Sequence, residues 1–305
     1  MIIKSNPILK KELRLSSRSI RIFLAIGIYV LFLSIVMMLG LDELLHRGRL
    51  WAGPEDFMRL SDLFAVIAWL QMGLICLIVP ILSAGSIAGE RERQTLDLMM
   101  TTPVSPLSII WGKLLSVLVR VLLFVICSLP VMAVAFLYGG MQWQYLIIFF
   151  IGILCMAFFN GAIGIWCSTL FRRTVPAVII SIMIEVIFYL LTVAVVLLAL
   201  RFQYRMAVEN NSEVLVLGWL PILLLLSPGV SFVDAIQSAY AKQSLMGRFL
   251  TSYYYECRIQ TPAVLKEIGR HWSLYGMAVC LILGIVFMLL AARNLRRGGE
   301  KKRLE

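Results

Sequence analysis

Of 305 residues, 61% are hydrophobic and only 15% charged, with a mean hydropathy of +0.91. A soluble domain carries about 25% charge, so the composition excludes a soluble globular protein and indicates an integral membrane protein. The 28 Lys and Arg outnumber the 17 Asp and Glu by +11, and the meaning of that excess depends on where the charges fall.

Each crossing needs about 20 apolar residues, so the chain holds six or seven spans with modest loops. No stretch is long and polar enough for a separate soluble domain, and 1–305 reads as one transmembrane domain. The N-terminus does not read as a cleavable signal, because its polar part is too long and no small-residue cleavage site follows the first apolar run.

Asn6-Pro7 suits an N-cap with proline at the first helical position. Over 6–21, Leu9, Leu13, Ser16 and Ile20 share one helical face, opposite Lys10, Lys11, Arg14, Arg18 and Arg21. This predicts a basic amphipathic helix lying at the cytoplasmic headgroups, attracted by about 1 kcal/mol per cation. A solvated positive flank is the plainer alternative. Span one follows over 22–41, then a polar loop over 42–62 with a turn at Trp51-Ala52-Gly53-Pro54, then span two over 63–82.

A polar island, 88–103, comes next, with five charges from Glu90 to Asp97. Lipid does not host that density, so the segment lies in water or against protein. As a helix it pairs Arg93 with Asp97 at i,i+4 and gathers Leu96, Met99 and Met100 into an exposed apolar knob. Thr101-Thr102-Pro103 stops it, and Ser105-Pro106 restarts a helix with serine as N-cap. Such a segment suits docking into a groove on a partner; the plain reading is a connecting loop.

Span three runs from Leu107 to Gly139-Gly140, with a kink expected at Pro130 and its first turns projecting toward the island. Span four covers 145–171, Arg172-Arg173 mark a cytoplasmic turn, and span five covers 175–200. In the outer region, 201–270, Val214 to Leu226 is apolar for only 13 residues, shorter than a crossing, and Ser227-Pro228-Gly229 breaks it. Re-entrant helices are expected there, tolerable where protein covers the broken backbone. Tyr253-Tyr254-Tyr255 suits the headgroup layer. Span six covers 272–292 and the tail is basic.

With the N-terminus, the island, Arg172-Arg173 and the tail on one side, that side holds 17 of the 28 cations and 6 of the 17 acids. The other side holds 10 of each. The whole +11 therefore lies on one face, cytoplasmic by the positive-inside rule. Six spans with both termini inside satisfy it, and a seventh would expel the basic tail. The excess is an orientation signal and implies no nucleic acid.

Arg120 and Glu185 are the charges deepest in apolar runs, about 28 and 24 Å below the outer ends of their spans. An unpaired charge there costs at least about 2.5–3.5 kcal/mol, so a salt bridge between them is the first reading. A place in a substrate path or gate, and snorkelling of Arg120, are the others. Gln71 and Asn160 suit interhelical hydrogen bonds. Cys76, Cys127, Cys155, Cys167 and Cys280 fall in apolar runs as small hydrophobes, Cys257 stands alone, and no spacing suggests a metal site. No nucleophile–base couple lies at one depth. Gly112-Lys113-Leu114 lacks the surroundings of a P-loop.

The run Gly89-Glu90-Arg91-Glu92-Arg93-Gln94-Thr95-Leu96-Asp97-Leu98-Met99-Met100-Thr101-Thr102-Pro103-Val104-Ser105, followed by Gly112-Lys113, closely resembles the signature of ABC type-2 exporter permeases. That signature reads roughly G-E-R-E-x-G-T-L-(D/E)-L-L-x-x-(S/T)-P-(V/I)-S, then G-K. Gln94 stands where glycine is common. The resemblance implies a permease without a nucleotide site of its own, with Glu90, Arg91, Glu92, Arg93, Thr95, Leu96, Asp97, Met99, Met100 and Pro103 in a coupling segment seated on an ATPase subunit. ATP and Mg would be bound by that partner. It also implies two ATPase copies, a second permease subunit, identical or paralogous, and a bacterial plasma membrane. An ion- or proton-driven secondary transporter using Glu185 and Arg120 is the alternative, and inverted repeats, its usual sign, are not evident.

Overall fold

The computed structural model describes residues 20–46, 54–96, 105–138, 143–210, 219–241, 244–256 and 262–304. Among them every regular element is helical. That is the arrangement in which a crossing segment bonds all its own backbone groups. The interfacial helix, with Lys10, Lys11, Arg14 and Arg18, lies outside the described residues, as do Asp97, Met99, Met100, Pro103 and Cys257.

In chain order the helices are α1 (Ile20–His46), α2 (Pro54–Glu92), α3 (Pro106–Tyr138), α4 (Trp143–Leu170), α5 (Thr174–Val186), a π-helix (Ile187–Leu191) and α6 (Thr192–Asn210). A 3₁₀ helix (Leu220–Leu226), α7 (Pro228–Ala241), α8 (Leu245–Glu256), α9 (Ala263–Arg270) and α10 (Trp272–Leu304) complete them. Among the described residues, six segments are long and apolar enough to cross a membrane: Ile22–Glu43, Leu63–Glu92, Pro106–Val134, Trp143–Leu170, Thr174–Gln203 and Trp272–Arg296. They match the six expected spans, but the loop expected over 42–62 is helical to His46 and again from Pro54. The second span continues as unbroken helix through the first five residues of the polar island. At 39 residues α2 is about 58 Å long, well beyond the roughly 30 Å of a hydrocarbon core.

The chain divides into two compact units. The first is Met1–Gln142 with Ala157–Ile182 and Gly284–Glu305. Here α1, α2 and α3 pack on one another. Gln71 donates to the Ser128 hydroxyl at 2.7 Å, Asn160 Nδ2 to Cys76 Sγ at 3.6 Å, and Tyr29 meets Phe124 edge-on at 5.3 Å. Gln71 and Asn160 thus make the interhelical bonds their depth required. Close approach depends on missing side chains, as is usual between membrane helices: a Cβ at Gly164 would fall on the Ser83 hydroxyl, and one at Gly161 would come 2.8 Å from Leu114. Phe23, Leu24, Ile28, Leu31, Ile35 and Met38 of α1 stay exposed within the chain, a surface suited to lipid.

The second unit is Trp143–Met156 with Met183–Leu283. Val196 and Leu200 of α6, Leu224 and Leu225 of the 3₁₀ helix, Leu250, Tyr253 and Tyr254 of α8, Leu265 of α9 and Trp272 form its core. Tyr253 and Tyr254 are therefore interior to this unit, and the Tyr253 hydroxyl reaches the Leu200 carbonyl at 3.2 Å and Gln203 at 3.1 Å. Tyr255 alone of the three points out, 84% exposed. The 3₁₀ helix and α7 meet at 91° across Ser227, so the break expected at Ser227-Pro228-Gly229 is a sharp bend. Asp234 of α7, fully buried, holds this unit together. Its Oδ1 accepts from the Ser244 hydroxyl at 2.8 Å and the Met246 N–H at 3.0 Å, and its Oδ2 from the Ser273 N–H at 3.2 Å. One carboxylate thus caps the first turns of α8 and α10, each cap contributing about 0.5–2 kcal/mol.

Candidate functional site

Successive helical residues point about 100° apart, and the last turn of α2 uses this to reach three helices with three consecutive side chains. Glu90 Oε1 lies 2.8 Å from Lys113 Nζ of α3. The Lys113 ammonium also donates to the Ser86 carbonyl at 2.9 Å and is only 1% exposed. Arg91 Nη1 donates to the Phe171 carbonyl at 3.4 Å, beside the C-terminus of α4, where helix carbonyls lack internal partners. Glu92 accepts from the Thr174 hydroxyl and backbone N–H at the start of α5, where a negative charge complements the helix dipole.

One turn earlier the grip continues. The Ser168 hydroxyl of α4 accepts from the N–H groups of Ile87 at 2.9 Å and Ala88 at 2.8 Å. Gly85 and Gly89 face Thr174, and Ala84, Ala88 and Ala177 are sealed against one another. Small residues here bring the backbones close enough for the short polar side chains to meet.

Beyond Glu92 the helix does not continue. Gln94 N–H bonds the Arg91 carbonyl at 3.1 Å and Thr95 N–H bonds the Glu90 carbonyl at 2.9 Å. That is a Schellman cap with Gln94 at the left-handed position, φ 56°. An L side chain with a Cβ is disfavoured there and glycine is not, so the glycine of the resembling signature has a conformational reason. Arg93 thus lies in the cap and not in α2, and the i,i+4 pair expected of it falls on Asp97, outside the described residues. Glu92, Arg93, Gln94 and Thr95 are exposed. Leu96 is buried with Ile87, Ile109, Ile110 and Leu114, so it anchors the turn to the chain's own core instead of joining an exposed knob. After Ser105, α3 restarts as expected, with the Ser105 hydroxyl accepting from the Ser108 N–H at 3.3 Å.

The geometry thus isolates a solvent-facing turn rooted in the ends of four helices. The family model for ABC-2 family transporter proteins matches residues 6–297. The chain belongs to that family. No curated protein matches it. As an ABC-2 family protein it is a multi-pass membrane protein of the permease type, and the family implies an ATPase partner.

Glu185 lies one residue before the end of α5, next to the π-helix, which the Thr192 hydroxyl closes by donating to the Ile187 carbonyl at 3.0 Å. Its side chain is buried and Oε1 accepts no hydrogen bond. Arg120 is half-buried in α3. Arg120 belongs to the first unit and Glu185 to the second.

Ser168, Thr174 and Asp234 were not singled out by sequence reasoning, and Lys113 entered it only as the lysine of the signature, without a role. A signal existed for Lys113, a cation two turns inside an apolar span, which demands a partner. A serine or threonine at a helix end carries no such signal.

Proposed function

We propose that this ABC-2 family protein is the membrane permease subunit of an ABC exporter, driven by ATP hydrolysis on a separate P-loop subunit. The single observation that carries the reading is the exposed Arg93-Gln94-Thr95 turn, the solvent-facing part of a signature-bearing segment joining α2 to α3. Residues 88–103 then face the ATPase on the cytoplasmic side, with both termini on that side and the 91° bend of the 3₁₀ helix and α7 forming a re-entrant pair opposite. Two permease chains and two ATPase subunits complete the transporter in the plasma membrane of a bacterium, ATP and Mg residing on the ATPase.

The test is affinity purification of the tagged chain in mild detergent. A P-loop ATPase recovered in equal amount, and released by Arg93→Glu, is the expected result. An intact assembly lacking any ATPase would overturn the reading. A second reading has one observation behind it: the buried, unsatisfied Oε1 of Glu185 suits a proton- or ion-driven carrier. Transport by the lone chain under an ion gradient would favour it.

A further inference from the structure

The signature residues Glu90, Arg91 and Glu92 point back into their own chain. Glu90 meets a lysine sealed from water, Arg91 a helix-terminal carbonyl, and Glu92 the first residue of α5. Ser168 adds two bonds to the backbone of the same turn. Glu90 and Arg91 are half-buried and each commits a polar atom inside the chain, Glu92 commits one to Thr174 although it is itself exposed, and Arg93, Gln94 and Thr95 are exposed beyond them.

We infer that Lys113, Ser168 and Thr174 are positioning residues that form, with Glu90, Arg91 and Glu92, a clasp fastening the ends of α2, α3, α4 and α5. The partner touches the turn beyond it, and the clasp passes the displacement to the spans. The inference rests on the coupling reading above and divides its labour: recognition from Arg93 onward, transmission from Ser168 and Glu90–Glu92 inward. Two features support a mechanical role over a decorative one. The helices α3, α4 and α5 contribute one polar side chain each within about two turns of α2, and the left-handed cap at Gln94 follows at once, so the joint lies outside the clasp and not within it.

The experiment uses the full permease–ATPase complex in lipid nanodiscs, reading both the ATPase retained and the permease-dependent stimulation of its hydrolysis. Glu90→Lys, Lys113→Glu and the double exchange test the ion pair. Thr174→Val and Thr174→Ser test the hydroxyl, and they keep the test decisive should a charge reversal fail to insert. Expected is a loss of stimulation of about tenfold in the single reversals and in Thr174→Val, within the usual range of coupling effects. The ATPase stays bound, and stimulation recovers in the double exchange and in Thr174→Ser. A complex that forms normally and is stimulated normally in all five variants removes the clasp and leaves the coupling reading standing. Loss of the ATPase from Glu90→Lys, unrepaired by the double exchange, also removes it, by making Glu90 a docking contact. A wild-type chain that carries no ATPase removes the parent reading and the clasp's role together.

Discussion

Lys113 Nζ lies 2.8 Å from Glu90 Oε1, yet only one partner is sealed from water: the lysine is 1% exposed and the glutamate 26%. The pair is therefore asymmetric. Removing the glutamate strands a buried ammonium without its carboxylate, whereas removing the lysine leaves a carboxylate that can turn to solvent. Glu90→Ala is expected to cost about 3 kcal/mol and Lys113→Met about 1 kcal/mol. Thermal melting of the detergent-solubilised chain ranks the two. Equal losses, or a double variant no better than the sum of the singles, would contradict a coupled pair.

Gln94 occupies the left-handed position of the α2 cap at φ 56°. Glycine relieves a steric cost there, although it gains entropy in the unfolded chain, so Gln94→Gly is expected to stabilise by up to about 1 kcal/mol. Gln94→Val places a β-branched side chain at the same φ and is expected to lose about 1–2 kcal/mol. Opposite shifts of melting temperature check the pair, and a lower value for Gln94→Gly would deny that the cap governs this turn.

Gly164 brings α4 onto α2. A Cβ there would fall on the Ser83 hydroxyl and within 3.2 Å of the Ala84 backbone nitrogen. Gly164→Ala is expected to lose about 1–3 kcal/mol by overpacking, and adding Ser83→Gly to recover part of it. Expression and melting of the single and double variants measure this, and an unaffected Gly164→Ala would mean the helices stand further apart.

Asp97→Lys serves as the counterpart to Glu90→Ala. If residues beyond the cap face the partner, this reversal leaves the melting temperature of the isolated chain within about 0.5 kcal/mol of wild type. It lowers permease-dependent ATPase stimulation about tenfold. Parallel melting and hydrolysis assays separate the two kinds of residue, and a large fall in melting temperature for Asp97→Lys would place Asp97 inside the chain's own packing.

The spans were legible because lipid imposes length and apolarity on every crossing. Ser105-Pro106 was legible because helix starts have local chemistry. Gln71 and Asn160 were legible because an amide in an apolar run needs a partner. The interior of the polar island was not. Periodicity cannot distinguish a new helix from the last turn of an old one, so Ala88–Glu92 read as part of a separate segment. A left-handed glutamine leaves no mark in composition. The direction of Leu96 followed from the cap, and Tyr253 and Tyr254 from the folding of α8 onto α6. Asp234 read as one more polar residue in a region without periodic signal, since its three partners come from 10, 12 and 39 residues away.

Both oxygens of Asp234 are committed, one to the beginning of α8 and the other to that of α10. Neither beginning can fray without withdrawing an N–H donor that stabilises the carboxylate serving the other. Solvent exchange at the Met246 and Ser273 amides should therefore rise and fall together under mild denaturation, making two positions far apart in sequence a single reporter of whether α7 is seated.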